Sequence, residues 1–391
     1  MQEKLDFDKM PVVDSIQHKT FGITYKNQTI TGIGLYEQGL TKFPHDIISL
    51  QNLQTLQINN NQLESLPESI GELTNLVELY VRQNNLKSLP ESIGDLSKLQ
   101  VLELTSNELK YLPENITNLK NLKELTICGN NLTTLPESIG DLSELEVLNL
   151  YNNKLTSLPE SIDNLKKLKE LSVNKNCLTF LPDTIGNLRY LEMLELTFNN
   201  IEFLPESIGE LSRLQKLFLN NNSLHNLPDN FKKLRSMYLL HLAYNNLTTF
   251  PESICKLKTL KLLNIAGNKL SSLPECISDL TKLNILDLKS NQLSELPNNI
   301  DKLTSLQILD LGNNKLKYLP EKICYIKTLQ TLKLYGNELK DLPKNISKLK
   351  NLYYLDISDS DLQSFSHEVK EWLEEFDEKA TLYIYSRGKS V

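Results

Sequence analysis

Apolar residues recur along this chain in one pattern that repeats every 23 residues from Leu53 to Leu352, without an insertion or a deletion. In the repeat 53–75 they occupy positions 1, 4, 6, 11, 14, 18 and 21: Leu53, Leu56, Ile58, Leu63, Leu66, Ile70 and Leu73. The spacing of positions 4 and 6 is typical of a strand, and that of positions 14, 18 and 21 is typical of a helical stripe. Each repeat is therefore predicted to be a short strand, a bend and a helical return, and only stacked repeats can bury the apolar face.

Two further positions of the repeat are nearly constant. Position 9 is asparagine in thirteen successive repeats, from Asn61 to Asn337, and position 15 is proline in fourteen, from Pro44 to Pro343. An amide side chain donates and accepts, so a column of amides can satisfy the backbone groups of the bend. Proline suits the first residue of a short helical turn, and we expect returns that are 3₁₀ or irregular.

The pattern LxxLxLxxNxLxxLPxxIxxLxx resembles the leucine-rich repeat, and the 23-residue form with LPxxI is similar to its intracellular, Ras-group class. The resemblance implies an α/β solenoid with the shape of a curved horseshoe. About fifteen strands would form a parallel β-sheet on the concave face, and short 3₁₀ or irregular turns would line the convex face. At a strand spacing of ~4.8 Å the concave arc would measure roughly 70 Å, which suits a protein or a long peptide as ligand.

The ends of the repeat array depart from the pattern and predict three regions. Residues 1–29 read as an N-terminal cap whose strand Phe21–Tyr25 forms a hairpin with the first repeat. Residues 30–365 form the array of about fifteen repeats. Residues 366–391 read as a C-terminal cap with Ser366 as N-cap, a helix, a closing strand Ala380–Tyr385 and a short tail. The helix is predicted from one apolar face: Val369, Trp372, Leu373 and Phe376.

Charge and composition exclude some classes of partner. The net charge is −7 and the pI is near 5.5, and no basic stripe is present, which argues against nucleic acid. No apolar run approaches the ~18 residues needed to span a bilayer, and the N-terminus lacks an apolar signal core. We therefore expect no membrane span and a cytoplasmic protein.

The candidate chemistry along the chain predicts no enzyme. The five cysteines (Cys128, Cys177, Cys255, Cys276 and Cys324) are odd in number and not paired by their spacing, so free thiols in a reducing compartment are expected. The histidines are far apart, and neither a glycine-rich phosphate loop nor a zinc motif is present. We expect no catalytic residue, no metal and no cofactor.

Candidate binding residues are those whose side chains point outward from the predicted sheet at positions 3, 5 and 7, or lie at its edge at position 8. Acids occupy several of these positions over repeats 3 to 8: Glu78, Glu103, Glu124, Glu170 and Glu195. They predict a partner with a basic face, although keeping the protein soluble is an alternative role for them.

Apolar and aromatic residues occupy the outward positions of repeats 8 to 10. They are Met193, Phe198, Phe218, Leu239, His241 and Tyr244. Clustered exposed aromatics are typical of interface hot spots, so we expect the partner to dock there. An aliphatic row at position 3 (Leu239, Leu262, Ile285 and Ile308) has the alternative explanation of packing along the sheet.

The function favoured by these features is a monomeric, non-catalytic scaffold or adaptor for a protein or peptide ligand in cytoplasmic signal transduction. An alternative is a regulatory or inhibitory subunit of an enzyme, such as a small GTPase, phosphatase or kinase complex. A further alternative is a secreted microbial effector.

Overall fold

The structure is a computed structural model that describes residues 5–385. Its contacts divide the chain into two compact units, Met1–Asn199 and Asn200–Val391, called here the N-terminal module and the C-terminal module. Repeats are numbered from repeat 1, which begins at Ile30, so that repeat 2 begins at Leu53. The 23-residue pattern runs through both modules, and each is built in the same way.

The strands of the N-terminal module pair in chain order. Strand β1 (Phe21–Lys26) pairs antiparallel with β2 (Thr29–Leu35), which confirms the hairpin, and β2 pairs parallel with β3. The following strands continue the parallel ladder in steps of one repeat: β3 (Thr55–Gln57), β4 (Glu78–Tyr80), β5 (Val101–Glu103), β6 (Glu124–Thr126), β7 (Val147–Asn149), β8 (Glu170–Ser172) and β9 (Met193–Glu195).

The C-terminal module contains a second run of parallel strands. They are β10 (Lys216–Phe218), β11 (Leu239–His241), β12 (Leu262–Asn264), β13 (Ile285–Asp287), β14 (Ile308–Asp310), β15 (Thr331–Lys333), β16 (Tyr354–Ser358) and β17 (Thr381–Tyr385). Between β16 and β17 lie two α-helices, α1 (Asp359–Leu362) and α2 (His367–Asp377). Strand β17 is the closing strand that the sequence predicted.

The returns between strands are short 3₁₀ turns, as predicted from their proline and their length. After an isolated turn at Phe7–Lys9, the N-terminal module has His45–Ser49, Glu68–Glu72, Glu91–Asp95, Glu114–Asn118, Ile139–Asp141, Glu160–Asn164 and Asp183–Asn187. The C-terminal module has Glu206–Glu210, Asp229–Lys233, Glu252–Lys256, Glu275–Asp279, Ile300–Lys302, Glu321–Tyr325 and Ile346–Lys348. In repeat 2 the Pro67 carbonyl accepts the first turn bond from the Ile70 N–H at 3.0 Å.

The core of each module is the stack of inward leucines and isoleucines. Leu56, Ile58 and Leu63 of repeat 2 are completely buried, and their equivalents in successive repeats are buried in the same way. Each such side chain removes from water an apolar surface worth about 1.5–3 kcal/mol. No single repeat could bury this surface, so folding requires that successive repeats stack on one another.

The asparagine at position 9 is a structural residue, as predicted. Asn107 is 7% exposed, and its Nδ2 donates to the carbonyls of Val81 (2.8 Å) and Leu104 (3.0 Å). Its Oδ1 accepts the N–H of Leu86 at 3.0 Å. Two of these three partners belong to the preceding repeat, so the amide joins neighbouring repeats at the bend, where the three-residue strand has ended.

The C-terminal helix has most of the buried face that the sequence predicted. Val369, Leu373 and Phe376 of α2 are buried, and Trp372 is half-buried. Ser366 stands at the predicted N-cap position with extended backbone, and its side chain makes no capping bond. The division into residues 1–29, 30–365 and 366–391 stays a prediction, and the expected tail 386–391 lies outside the described residues.

Two cysteines form a disulfide, which corrects the expectation of five free thiols. Cys255 and Cys276 are bonded, with their Cα atoms 5.7 Å apart. They occupy positions 19 and 17 of successive repeats, and stacking brings those positions together although they are 21 residues apart in sequence. The remaining three cysteines are free, and burial raises the pKa of Cys128 and raises that of Cys324 to about 12.

Candidate functional site

The outward side of the sheet is called here the sheet face, and its strands show one burial pattern. In Glu78–Tyr80 and Leu239–His241 the middle leucine is buried, while the residues on either side are half-buried. These flanking residues are positions 3 and 5 of the repeat, which sequence analysis had assigned to the outward side. The pleat of the strand explains the alternation.

Three of the predicted acids lie on the strand of Tyr80 or on the next two strands of the N-terminal module. Burial, and then the charges of Glu78, Glu124 and Glu103, raise the pKa of Tyr80 to about 12, because a phenolate would be desolvated beside three carboxylates. Glu78 also accepts a bond from the Thr55 hydroxyl at 3.2 Å. We call Glu78, Glu103, Glu124 and Tyr80 the acidic cluster.

The remaining predicted acids differ in what they contact. Glu195 accepts bonds from the Ser172 hydroxyl (2.9 Å) and the Asn174 amide (2.8 Å), so its carboxylate is tied to the preceding strand. Glu170 is exposed on β8, in register with Met193 of β9. Glu103 of the acidic cluster accepts the Thr105 N–H at 3.0 Å, so it has a local structural role as well.

The structure brings together part of the predicted aromatic cluster in the C-terminal module. Phe218 and His241 are in register on β10 and β11, and their ring centroids lie 5.2 Å apart. The Nδ1 of His241 lies 3.3 Å from the Asn220 amide nitrogen, and burial lowers the pKa of the imidazole, which favours its neutral form. Leu239 is half-buried on the same strand as His241.

Tyr244 extends this group toward the next repeat. Its side chain is 56% exposed, and its ring lies over Gly267, where an added Cβ would come within 2.5 Å of a ring carbon. Gly267 therefore leaves the space that the ring occupies. Phe218, Leu239, His241 and Tyr244 are called the aromatic cluster.

Met193 and Phe198 belong to the N-terminal module. Met193 is half-buried on β9, and Phe198 is 51% exposed just after that strand. The set of six residues predicted as one patch is thus divided between the two modules. Within the C-terminal module, Phe218 and His241 are in ring contact, Leu239 shares the strand of His241, and Tyr244 lies against Gly267 of the next repeat.

The backbone at position 8 explains why Phe198 and Tyr244 protrude. This position has a positive φ throughout repeats 2 to 14 and is mostly filled by asparagine, serine or glycine, which tolerate it: Asn60, Gln83, Ser106, Gly129, Asn152, Lys175, Phe198, Asn221, Tyr244, Gly267, Ser290, Asn313 and Gly336. A bulky aromatic residue is disfavoured there. Its presence in two repeats is a local cost that points to a role outside the fold.

A group of buried and half-buried carboxylates on the sheet face of the C-terminal module was not predicted from the sequence. Asp310 is 7% exposed, accepts the Gly312 N–H at 3.0 Å and pairs with Lys333 at 3.4 Å. Burial raises the pKa of Asp287, and it raises that of Asp356 to about 6. The available signal was an acid at position 5 in three of the last four repeats.

A row of exposed aromatics at position 13 was also missed. Tyr111 and Phe180 in the N-terminal module, and Phe203 and Tyr318 in the C-terminal module, are 53–64% exposed. The Phe203 ring stacks on His225, with centroids 5.9 Å apart. The signal was an aromatic residue directly before the Leu-Pro pair, where most repeats have a smaller side chain.

The described residues offer neither a metal cluster nor a helix that could span a membrane. No group of three or more His, Cys, Asp or Glu side chains in residues 5–385 is arranged to hold a metal ion. The helices of the same residues include none with the length and apolarity to cross a bilayer.

Comparison with known proteins identifies the family. A model described as a leucine-rich repeat region matches residues 31–107, 110–200 and 238–314, and a second leucine-rich repeat model matches residues 213–234 and 305–326. A search of curated proteins finds no match.

Solved structures agree with these matches. A leucine-rich repeat protein of Leptospira interrogans is 37% identical, with a TM-score of 0.78, over 90% of this chain and 83% of that one. A plant peptide hormone receptor, RGFR1, solved in complex with RGF2, is 28% identical with a TM-score of 0.70, over 91% of this chain and 68% of that one. An internalin of Listeria monocytogenes shares the fold at 22% identity and a TM-score of 0.66, over 83% of this chain and 86% of that one. The chain belongs to the leucine-rich repeat proteins, a family whose fold serves as a scaffold for protein–protein interaction.

Proposed function

We propose that this protein is a non-catalytic scaffold that binds a protein or an extended peptide with a basic face. The observation that carries the proposal is the acidic cluster: Glu78 shares a strand with Tyr80, Glu103 is in register with Tyr80 on the next strand, and Glu124 lies one strand further. The three charges act together on Tyr80, so a cationic side chain placed there would meet several carboxylates at once. The plant receptor RGFR1, solved with its ligand RGF2, supports a peptide or protein as the type of ligand.

The aromatic cluster supplies the second element of the proposed interface. Phe218 and His241 lie in ring contact, and Tyr244 is exposed at a backbone position that disfavours it. Aromatic anchors often dominate binding energy, whereas peripheral acids act mainly on the association rate. We assign anchoring to the aromatic cluster and steering to the acidic cluster, with Glu170, Glu195, Met193 and Phe198 as further contacts.

We also propose that the repeats are of the 23-residue LPxxI, Ras-group class and that the protein is a cytoplasmic monomer acting in signal transduction. Light scattering coupled to size exclusion tests the monomer: a mass of 44.8 kDa is expected, and twice that value would contradict it. Where the bound partner is an enzyme, this protein acts as its regulatory subunit and the partner performs the catalysis.

A secreted microbial protein is a second candidate, favoured by one observation. Disulfides persist in oxidising compartments and are rare in the cytosol, and Cys255 and Cys276 are bonded. Thiol labelling of the protein in its host distinguishes the two: labelling of five cysteines under denaturation supports the cytoplasmic proposal, and labelling of three supports secretion.

The proposed interface is tested by affinity capture from the host followed by binding kinetics with the captured partner. The variant Glu78→Gln/Glu124→Gln removes two charges of the acidic cluster and should slow association several-fold at low salt, with a smaller effect at high salt. The matched control Glu91→Gln/Glu137→Gln removes one acid at the start of a 3₁₀ turn and one acid two residues before such a turn, and it should leave the rate unchanged. Equal slowing by both variants would show a net-charge effect and would contradict the proposed steering.

A further inference from the structure

A basic cleft lies on the 3₁₀ side of the C-terminal module, away from the residues assigned to partner binding. It has a volume of about 690 Å³ and is lined by Lys232, Lys233, Arg235, Lys256 and Lys258. All five side chains are exposed, and they belong to two successive repeats. The protein as a whole carries a net charge of −7, so five adjacent cations are a local reversal of its charge.

The repeat pattern shows that two adjacent repeats carry this reversal together. Position 20 is an acid or an amide in seven successive repeats: Glu72, Asp95, Asn118, Asp141, Asn164, Asn187 and Glu210. It is then lysine in two successive repeats, at Lys233 and Lys256, and after Asp279 it is lysine only in single repeats, at Lys302 and Lys348. Position 22, which is basic in several repeats, is basic in the same two, as Arg235 and Lys258. Stacking places like charges at equivalent positions side by side, which is unfavourable unless an anion lies between them.

Acids near the cleft pair with only two of its five cations, one at each border. Lys233 pairs with Glu210 at 2.8 Å, and Lys258 pairs with Asp279 at 2.9 Å. Within the described residues, no carboxylate lies within the 4.0 Å ion-pair distance of Lys232, Arg235 or Lys256. Asp229 and Glu252 line a smaller adjoining cleft of about 220 Å³ together with Lys232 and Lys256. Three cationic groups therefore remain free for an added anion.

Backbone and covalent contacts hold the two turns that form the cleft walls. The Thr259 hydroxyl donates to the carbonyls of Arg235 (2.8 Å) and Met237 (2.7 Å), which joins one repeat to the next beside the basic side chains. Cys255 directly precedes Lys256 and is bonded to Cys276 of the following turn. The charges thus project from positioned backbone, which lowers the entropic cost of binding.

We propose that the basic cleft binds a compact ligand carrying two or more phosphate or sulfate ester groups. The arginine offers a planar fork of donors and the lysines offer point charges, which together suit tetrahedral oxyanions. The free cations belong to different repeats, so a ligand with several anionic groups can bridge them. This site is independent of the sheet face and of any partner bound there.

Isothermal titration calorimetry on the full chain tests the proposal with two defined probes. Inositol hexakisphosphate presents phosphate esters, and sucrose octasulfate presents sulfate esters. At 50 mM NaCl we expect at least one of them to bind, and Lys232→Gln/Arg235→Gln/Lys256→Gln should lose at least tenfold in affinity. The control Lys282→Gln/Lys317→Gln/Lys340→Gln removes the same charge from exposed lysines of the same module and should lose less than threefold. Circular dichroism melting of both variants checks that they remain folded.

Each outcome decides for or against the cleft. A preference for one probe shows whether the cleft selects phosphate or sulfate esters. Binding of both supports a site that recognises the charge and spacing of the anionic groups. Equal loss in the two triple variants would show diffuse attraction to surface lysines and would overturn the proposal. The absence of heat with both wild-type titrations at millimolar probe would overturn it as well.

Discussion

The two modules share one scaffold and differ on the face that it presents. In both, the inward leucines and the asparagine of position 9 are buried and make the same contacts. On the sheet face, the N-terminal module carries carboxylates near Tyr80. The C-terminal module carries the aromatic cluster, the half-buried acid Asp287 and the buried acids Asp310 and Asp356. This difference shows that stacking constrains the inward positions to apolar residues and asparagine, while the outward positions can carry different charged or aromatic side chains.

The largest expected effect is the loss of stability on removing the disulfide, which lies in the C-terminal module. Cys276→Ser removes a cross-link between positions 21 residues apart and should lower the free energy of unfolding by about 3 kcal/mol, because the unfolded chain regains loop entropy. Urea unfolding measures it. Cys177→Ser is the control, since this thiol is free and exposed and its loss should leave the midpoint unchanged. Equal midpoints for the two variants would show that the bond does not stabilise the C-terminal module.

The next effect tests whether the scaffold is equivalent in both modules. Asn107→Ala leaves a buried backbone N–H and two carbonyls without their amide partner, and Asn268→Ala leaves an N–H and three carbonyls. Each substitution should cost about 1–3 kcal/mol. Urea unfolding of the two variants and of the exposed control Asn85→Ala provides the comparison. A loss for one asparagine and none for the other would break the equivalence.

Each aromatic anchor on the sheet face of the C-terminal module is expected to contribute about 2 kcal/mol to the binding free energy. Phe218→Ala and Tyr244→Ala remove side chains of the aromatic cluster, and each should weaken binding of the captured partner by roughly that amount. The controls Tyr111→Ala and Phe180→Ala remove exposed rings of position 13 and should leave affinity unchanged. If instead the controls abolish binding and the cluster variants bind like wild type, the partner uses the position-13 side.

The smallest expected effect concerns the buried acid Asp356. Burial raises the pKa of this carboxyl to about 6 in the folded protein, above its ordinary value of about 4. The folded state therefore binds the proton more tightly, so the contribution to stability is full below pH 4 and is lost as the pH rises through 6. Relative to wild type, Asp356→Asn should raise the free energy of unfolding by about 1 kcal/mol more at pH 8 than at pH 4.

Urea unfolding at the two pH values measures this change. The exposed acid Glu124 is the control, and Glu124→Gln should give the same difference between the pH values as wild type. A wild-type pH dependence retained by Asp356→Asn would place the titrating group elsewhere.

Much of the fold was predictable from local pattern, and the reason is the short range of its rules. Leu56 and Ile58 are two residues apart and are buried within and just after strand β3, and Pro67 directly precedes the 3₁₀ turn Glu68–Glu72. The side of the sheet to which Glu78 and His241 belong follows from the same alternation. Ser366 was predictable as the N-cap, whereas the absence of a side-chain capping bond was not, because a capping residue type does not ensure that bond.

The sequence by itself determined the period, the inward residues, the asparagine column and which side chains leave the sheet, because each recurs at a fixed position of the 23-residue repeat. Only the tertiary structure decided the Cys255–Cys276 bond, the effect of three carboxylates on the pKa of Tyr80, the burial of Asp356 and the basic cleft. These features arise between repeats, where residues some twenty positions apart become neighbours. Their energies depend on distances and burial that the stacking creates.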